Sequence, residues 1–344
     1  MRSRRDFIKK TALIAAGMAS APALLRAGAP PPVLGHNHKR YQLNRAWGKQ
    51  DFSRYPVNDC HEMVLDKKGR IFLLTNETRN NILIYDRSGK ILDSWGHEYP
   101  GAHGLSIFEE NGTEFLFICD TERRQVFKTT LDGRVLLTLD YPKEAGIYAK
   151  KEDFTPTETA IAPNGDIYIA DGYGKDYILQ FNAKGEFIRY FGGKGSAAQH
   201  LNNAHGICVD HRSPAGPTLI VSSRQQHCFK RYSMEGVFLG EIPVPGAWVC
   251  RPVIRGEYLY AAVLQSHSNA WQQSGFVTIL DKNDRVVSNV GGSTPAYHEG
   301  RAQEMYQTVR AFQYPHDVCV DADENLYVCQ WNSGKVYPYQ LSPV

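Results

Sequence analysis

The 344-residue chain is 42% hydrophobic and 22% charged, proportions ordinary for a globular domain. Its formal net charge of +3 is carried by the N-terminus, where Arg2, Arg4, Arg5, Lys9, Lys10 and Arg26 face only Asp6, so the remainder of the chain is slightly acidic. That balance excludes a basic nucleic-acid surface, and no apolar run of about 18 residues lies beyond the N-terminus to span a membrane.

The first 29 residues read as a leader. Ser3-Arg4-Arg5-Asp6-Phe7 precedes an apolar stretch at 12–19, and Ala21-Pro22-Ala23 or Ala27-Gly28-Ala29 offers the small residues of a cleavage site. The Arg pair followed by Phe resembles a twin-arginine export signal, with an ordinary secretory signal as the alternative, and implies a periplasmic or extracellular protein. A linker at 30–39 opens with Pro30-Pro31-Pro32. Tyr41-Gln42-Leu43-Asn44-Arg45-Ala46-Trp47-Gly48 then reads as the end of a unit without its beginning. Its aromatic and Gly match Ile91-Leu92-Asp93-Ser94-Trp95-Gly96 and Phe187-Ile188-Arg189-Tyr190-Phe191-Gly192.

Six units come next, at about 60–96, 101–139, 154–192, 201–243, 247–291 and 312–341. The third is the cleanest, with strands at 167–170, 177–182 and 187–191 and turns at Asn164-Gly165 and Lys184-Gly185. The fifth is the most degenerate, and the last lacks a clear final strand. Short alternating strands between Asn-Gly, Asp-Gly and Ser-Gly turns signal antiparallel hairpins. A period near 40–50 residues signals an all-β, six-bladed β-propeller over 40–344. Such a ring must close, so the fragment at 41–48 is expected to complete the sixth blade. The phrasing of apolar strand, Asp, Gly turn and apolar strand resembles the NHL repeat family.

One phrase recurs: Ala102-His103-Gly104-Leu105-Ser106-Ile107, Ala204-His205-Gly206-Ile207-Cys208-Val209-Asp210 and Pro315-His316-Asp317-Val318-Cys319-Val320-Asp321. His103, His205 and His316 begin the innermost strands of blades two, four and six. They converge from three directions on the channel, as three protein ligands with a fourth position open do in a catalytic zinc site. His61 takes the same place in blade one. It is a fourth ligand, a group supporting a ligand, or a polar residue at the channel rim, and the three-fold pattern favours the rim.

The trio, with Asp171-Gly172-Tyr173, Ile178-Leu179-Gln180-Phe181 and Pro315-His316-Asp317, resembles the peptidyl-α-hydroxyglycine α-amidating lyases. That resemblance implies a six-bladed propeller with zinc on His103, His205 and His316 and a structural calcium in the channel. Asp317 would hold the calcium by its carboxylate, and Met63 and Leu105 by backbone carbonyls. It implies cleavage of a peptidyl α-hydroxyglycine to an amide and glyoxylate, with Tyr173 as the base, its pKa lowered by zinc and Arg224, and Arg224 gripping a substrate carboxylate. Three departures bear on the substrate. Asn76 stands where the family has a first-blade Arg, Tyr314 replaces a Met before the last zinc His, and the family's Cys pairs are incomplete. The expected partner is a small-molecule or peptide substrate, and the expected state a monomer.

Seven Cys are present, so at least one is unpaired, and a Cys319–Cys329 bridge is an open possibility. Two other readings stand beside the lyase. One is a non-catalytic propeller that binds a peptide, glycan or protein. The other, a hydrolase using calcium on carboxylates, is disfavoured because the channel positions read as His rather than Asp, Glu and Asn.

Overall fold

A computed structural model describes residues 32–266 and 273–344, so the expected leader at 1–29 lies outside the described residues. The alternating strands and Gly turns fold into six antiparallel sheets arranged as a six-bladed propeller. Helix among the described residues is limited to three 3-10 turns, at Lys143–Ala145, Lys151–Asp153 and Arg224–Gln226. No helix there is long and apolar enough to cross a membrane.

The six innermost strands are Cys60–Leu65, Ala102–Glu110, Glu158–Ile161, Ala204–Asp210, Ala247–Arg255 and Pro315–Val320. Each contacts the next, and the last contacts the first. The core is therefore divided among the blade interfaces. Val64, Phe72, Ile84, Leu105 and Ile118 pack blade one on blade two, and Trp47, Met63, Tyr85, Tyr327 and Cys329 pack blade six on blade one. The Asp that ends several inner strands ties off the turn after it. Asp66 accepts backbone N–H bonds from Lys68 and Arg70 at 3.0 and 2.7 Å, and Asp321 accepts from Asp323 and Asn325 at 2.9 Å each.

The third blade's strands, Ile167–Ala170, Tyr177–Phe181 and Phe187–Gly192, lie within a residue of expectation. Blade six is built from both ends of the chain. Lys39–Asn44 pairs with Tyr339–Pro343, with Tyr41 opposite Pro343 and Leu43 opposite Leu341, and its burial alternates so that Lys39, Tyr41 and Leu43 face inward. Two details differ from the sequence reading. Residues 33–36, expected within the linker, form a fifth, outer strand, Val33–His36, paired with Lys39–Asn44. The closing strand also ends at Asn44, before Trp47. Trp47 turns inward between Tyr85 and Tyr327, with centroids at 5.2 and 4.8 Å, and donates Nε1–H to the Arg87 carbonyl. All seven Cys are free thiols. The ladder sets Cys319 opposite Tyr327 and Cys329 opposite Asp317, so the two sulfurs are not facing partners.

Removing residues 32–44 strips the ring of its closure and exposes an apolar edge. Losing the burial of Leu34, Tyr41 and Leu43 is expected to cost on the order of 5 kcal/mol. Urea denaturation with light scattering should show a lower midpoint and aggregation. An unchanged midpoint would mean the ring closes some other way.

Candidate metal centre

The inner strands carry their functional side chains at breaks in the ladder. Pairing skips His61 between Cys60 and Glu62, His103 between Ala102 and Gly104, and His316 between Pro315 and Asp317. In blade four it skips both His205 and Gly206. Such bulges re-aim a side chain, here into the channel. Blade five breaks between Val249 and Pro252, at Cys250 and Arg251. Thr157 precedes the inner strand of blade three. Two stacked layers result, His61, His103, Thr157, His205, Cys250 and His316 above, and Glu62, Gly104, Glu158, Gly206, Arg251 and Asp317 below. Gly follows two of the His because backbone presses there. A Cβ on Gly206 would lie 2.5 Å from Arg251 Cα, and one on Gly104 2.4 Å from the Thr157 carbonyl oxygen.

His103, His205 and His316 form a nearly equilateral triangle, with ring centroids 4.8, 4.8 and 5.0 Å apart. Imidazoles whose nitrogens lie about 2 Å from a common metal have centroids roughly 5 Å apart, so the residues fit a metal ion. The His103 and His316 Nδ1 atoms lie 2.9 Å from the Thr157 and His61 carbonyl oxygens. A carbonyl only accepts, so Nδ1 carries the proton and Nε2 keeps its lone pair for a ligand. Burial pushes the pKa values of His103, His205 and His316 well below the ordinary imidazole value. It lowers His61 to about 3, with Arg224 adding to the effect.

The expectation for His61 is corrected. It is not a rim residue but buried, at 6% exposure, with its ring 4.8 Å from both His103 and His316. The candidate ligand atoms that all lie within 4.8 Å of one another belong to His61, His103 and His316. His205 lies outside that group, and its Nε2, like that of His103, is 3.1 Å from the Tyr173 hydroxyl.

Tyr173 sits on the loop after Ile167–Ala170. Asp171 anchors that loop by accepting from Thr155 N, Lys175 N and the Tyr148 hydroxyl at 2.6, 2.7 and 2.8 Å. Gly172 lets it lie against blade four, since a Cβ there would stand 2.1 Å from the Ala204 carbonyl oxygen. The Tyr173 hydroxyl is thereby 3.1 Å from both His103 Nε2 and His205 Nε2. The residue as a whole is 45% exposed, while its hydroxyl lies among the imidazoles. Burial raises the phenol above its ordinary value, outweighing the lowering effect of Arg224. The expected lowering would therefore have to come from a bound zinc.

Arg224 is buried. It donates to the Cys250 thiol at 3.1 Å and the Val249 carbonyl at 3.5 Å, and no carboxylate pairs with it among the described residues. Asn76 is tied to Asn58 and Asp59 and brings no cation. A cavity of about 340 Å³ over the cluster is lined by His61, Asn76, His103, Thr121, Tyr173 and Trp331. Tyr314 packs edge-on against Trp331.

The three groups expected to hold calcium are already engaged. Arg251 donates to Asp317 Oδ2 at 2.7 Å and Oδ1 at 3.1 Å, and to the Met63 and Leu105 carbonyls at 2.9 Å each. Asp317 Oδ2 also accepts from Met63 N–H at 3.0 Å. A guanidinium fills the centre, so these residues as placed do not fit a calcium ion. Glu62 and Glu158 flank Arg251 at 3.7 and 3.8 Å. Burial and the charge of Glu158 push the Glu62 carboxyl well above the usual carboxylate range, with Arg251 acting the other way. The sequence reading missed Arg251, Glu62 and Glu158. The acidic residues follow the His position directly, which was a usable signal, whereas Arg251 was hidden by the degenerate fifth unit. A second hollow of about 850 Å³ at the opposite mouth is lined by Leu65, Ile107, Val209 and Ile254, with Arg251 in its wall.

No family model matches the chain. It is 24% identical over 325 residues, 87% of its length, to peptidyl-alpha-hydroxyglycine alpha-amidating lyase 1 of Drosophila melanogaster, covering 54% of that protein. It is 30% identical over 178 residues, 52% of its length, to a probable lyase of the same name from Caenorhabditis elegans, covering 45% of it. The chain is a propeller resembling the α-amidating lyases. It spans about half the length of these curated relatives. Among solved structures, a gluconolactonase from Xanthomonas campestris aligns over 94% of this chain and 98% of its own (TM-score 0.60, 15% identity). A streptogramin B lyase aligns over 83% and 94% (TM-score 0.55, 13% identity). At these identities the likeness is one of fold.

Arg251→Ala removes the cation from beside buried carboxylates and is expected to cost about 3–5 kcal/mol in urea denaturation. Millimolar calcium should restore part of that loss in the variant and leave the parent unchanged. A parent stabilised by calcium would return the ion to this position. The lowered imidazole pKa values also set the pH dependence of metal binding. Protons compete only below the ordinary imidazole range, so affinity for a divalent ion should stay flat from pH 8 to about 6.5 and fall on further acidification. A decline beginning near pH 7.5 in competition titrations would contradict this.

Proposed function

We propose that the protein is an exported, zinc-dependent carbon–nitrogen lyase acting on an α-hydroxyglycine-like substrate and releasing an amide and glyoxylate. The observation that carries the reading is the Tyr173 hydroxyl, held between two imidazoles beside a buried Arg224 without a carboxylate partner, in a chain that resembles the α-amidating lyases. Zinc on the imidazoles would act as a Lewis acid, lowering the pKa of a hydroxyl bound to it.

The chain's own groups account for the rest. Arg224 offers a fork of N–H donors to the substrate carboxylate, and the cost of its burial is offset when an anion arrives. The C–N bond breaks, the hydroxyl carbon becomes the aldehyde of glyoxylate, and the nitrogen gains a proton. One proton must therefore leave the hydroxyl and one reach the nitrogen. A neutral phenol suits this exchange, because it hands its own proton to the nitrogen as it takes the one from the hydroxyl. Burial acts on the Tyr173 phenol in the direction this relay needs. Trp331 walls the cavity on the side of blade six, with Tyr314 packed against it, and favours an apolar acyl group on the substrate.

Tyr173→Phe should keep metal content and fold while losing about 10²–10⁴-fold in turnover. The assay is glyoxylate release from a synthetic acyl-α-hydroxyglycine, with metal measured on the same sample. Near-full activity with metal retained would remove Tyr173 from the reaction. No activity in the parent would favour a binding propeller instead.

A further inference from the structure

Three features of His61 are unexplained by a three-imidazole centre. Its ring is buried and its Nδ1, like that of the proposed ligand His205, has no hydrogen-bond partner, an arrangement that carries a desolvation cost unless something binds there. It leaves the ladder at the same kind of bulge that presents His103 and His316. Its ligand atom belongs to the tightest imidazole group among the described residues. The four rings form two triangles that share the His103–His316 edge, with His205 at one apex and His61 at the other.

We propose that His61 is a fourth imidazole donor to the metal ion held by His103, His205 and His316, and that substrate displaces it. The proposal rests on the metal reading above. His103 and His316 are fixed through Nδ1 to backbone carbonyls, and His205 is fixed by Tyr173. No side-chain hydrogen bond holds His61 among the described residues, so it is the ring free to leave. It also lines the cavity by which a substrate reaches the cluster, together with Asn76 and Trp331. An incoming oxygen therefore meets the ligand that is easiest to replace. A site closed by four nitrogens when empty of substrate holds its metal tightly and opens only when something competes for the position.

The test loads cobalt(II) into the full chain and into His61→Phe and His61→Ala. Affinity is read by competition with a chelating indicator, coordination by the visible absorption of cobalt, and folding by the melting curve. Phe keeps the ring volume should Ala unfold. Loss of a group that merely orients a ligand typically costs about 10–100-fold in affinity, so loss of a ligand should cost at least about 100-fold. The visible bands should shift in the variants. An acyl-α-hydroxyglycine should change the parent spectrum strongly and the variant spectra little. His61 variants with parental affinity and spectrum overturn the proposal while leaving the three-imidazole centre intact. A parent that binds no cobalt overturns both.

Discussion

One guanidinium holds the middle of the ring. Arg251, from blade five, reaches across the channel to the carboxylate of Asp317 on blade six and to backbone carbonyls of blades one and two, with Glu158 of blade three beside it. Five of the six blades meet on this side chain or its flank. In low dielectric each bond is strong, and the same low dielectric penalises any carboxylate left without a cation. The blades are otherwise joined by separate apolar interfaces, which fix neighbours but not the centre. Arg251 sets the height and spacing at which the inner strands converge.

The imidazole layer depends on that floor. Each channel His follows from a bulge one residue before the layer in which Arg251, Asp317 and Glu62 lie. The two Gly of that layer let inner strands approach where no side chain is needed. Ring spacing near 5 Å is a consequence of six strands meeting at this distance, not of the imidazoles attracting one another. Stacking four neutral, buried imidazoles without a cation leaves nitrogen lone pairs unsatisfied. The geometry therefore has a cost that a bound metal would offset, and the fold supplies the rigidity that keeps the site assembled.

Much of this was legible in the sequence. The Gly turns and their period marked out the blades, and Tyr41 and Leu43, orphaned from any unit, pointed to closure of the ring. The His-Gly and His-Asp phrases located the channel. What escaped has physical reasons. His61 was judged by symmetry, but a six-fold ring with three occupied positions still leaves room at a fourth. Arg251 lies in a unit whose inner strand carries two breaks, at Trp248 and at Cys250-Arg251, so its alignment with Asp317 was obscured. The pKa of Tyr173 depends on burial of its hydroxyl, which spacing along the chain does not report. The outer strand Val33–His36 comes after a Pro run, and composition alone reads such a stretch as linker.

The central proposal is that the channel holds a metal in the imidazole layer and a guanidinium, not an ion, in the layer beneath. Crystals of the protein grown with zinc and calcium, with anomalous diffraction recorded above and below the zinc edge, test both halves at once. The account expects one zinc peak within bonding distance of His103, His205 and His316, and Arg251 density filling the space between Asp317, Met63 and Leu105. A calcium ion on those three residues with Arg251 turned away, or an imidazole layer without metal, would contradict it.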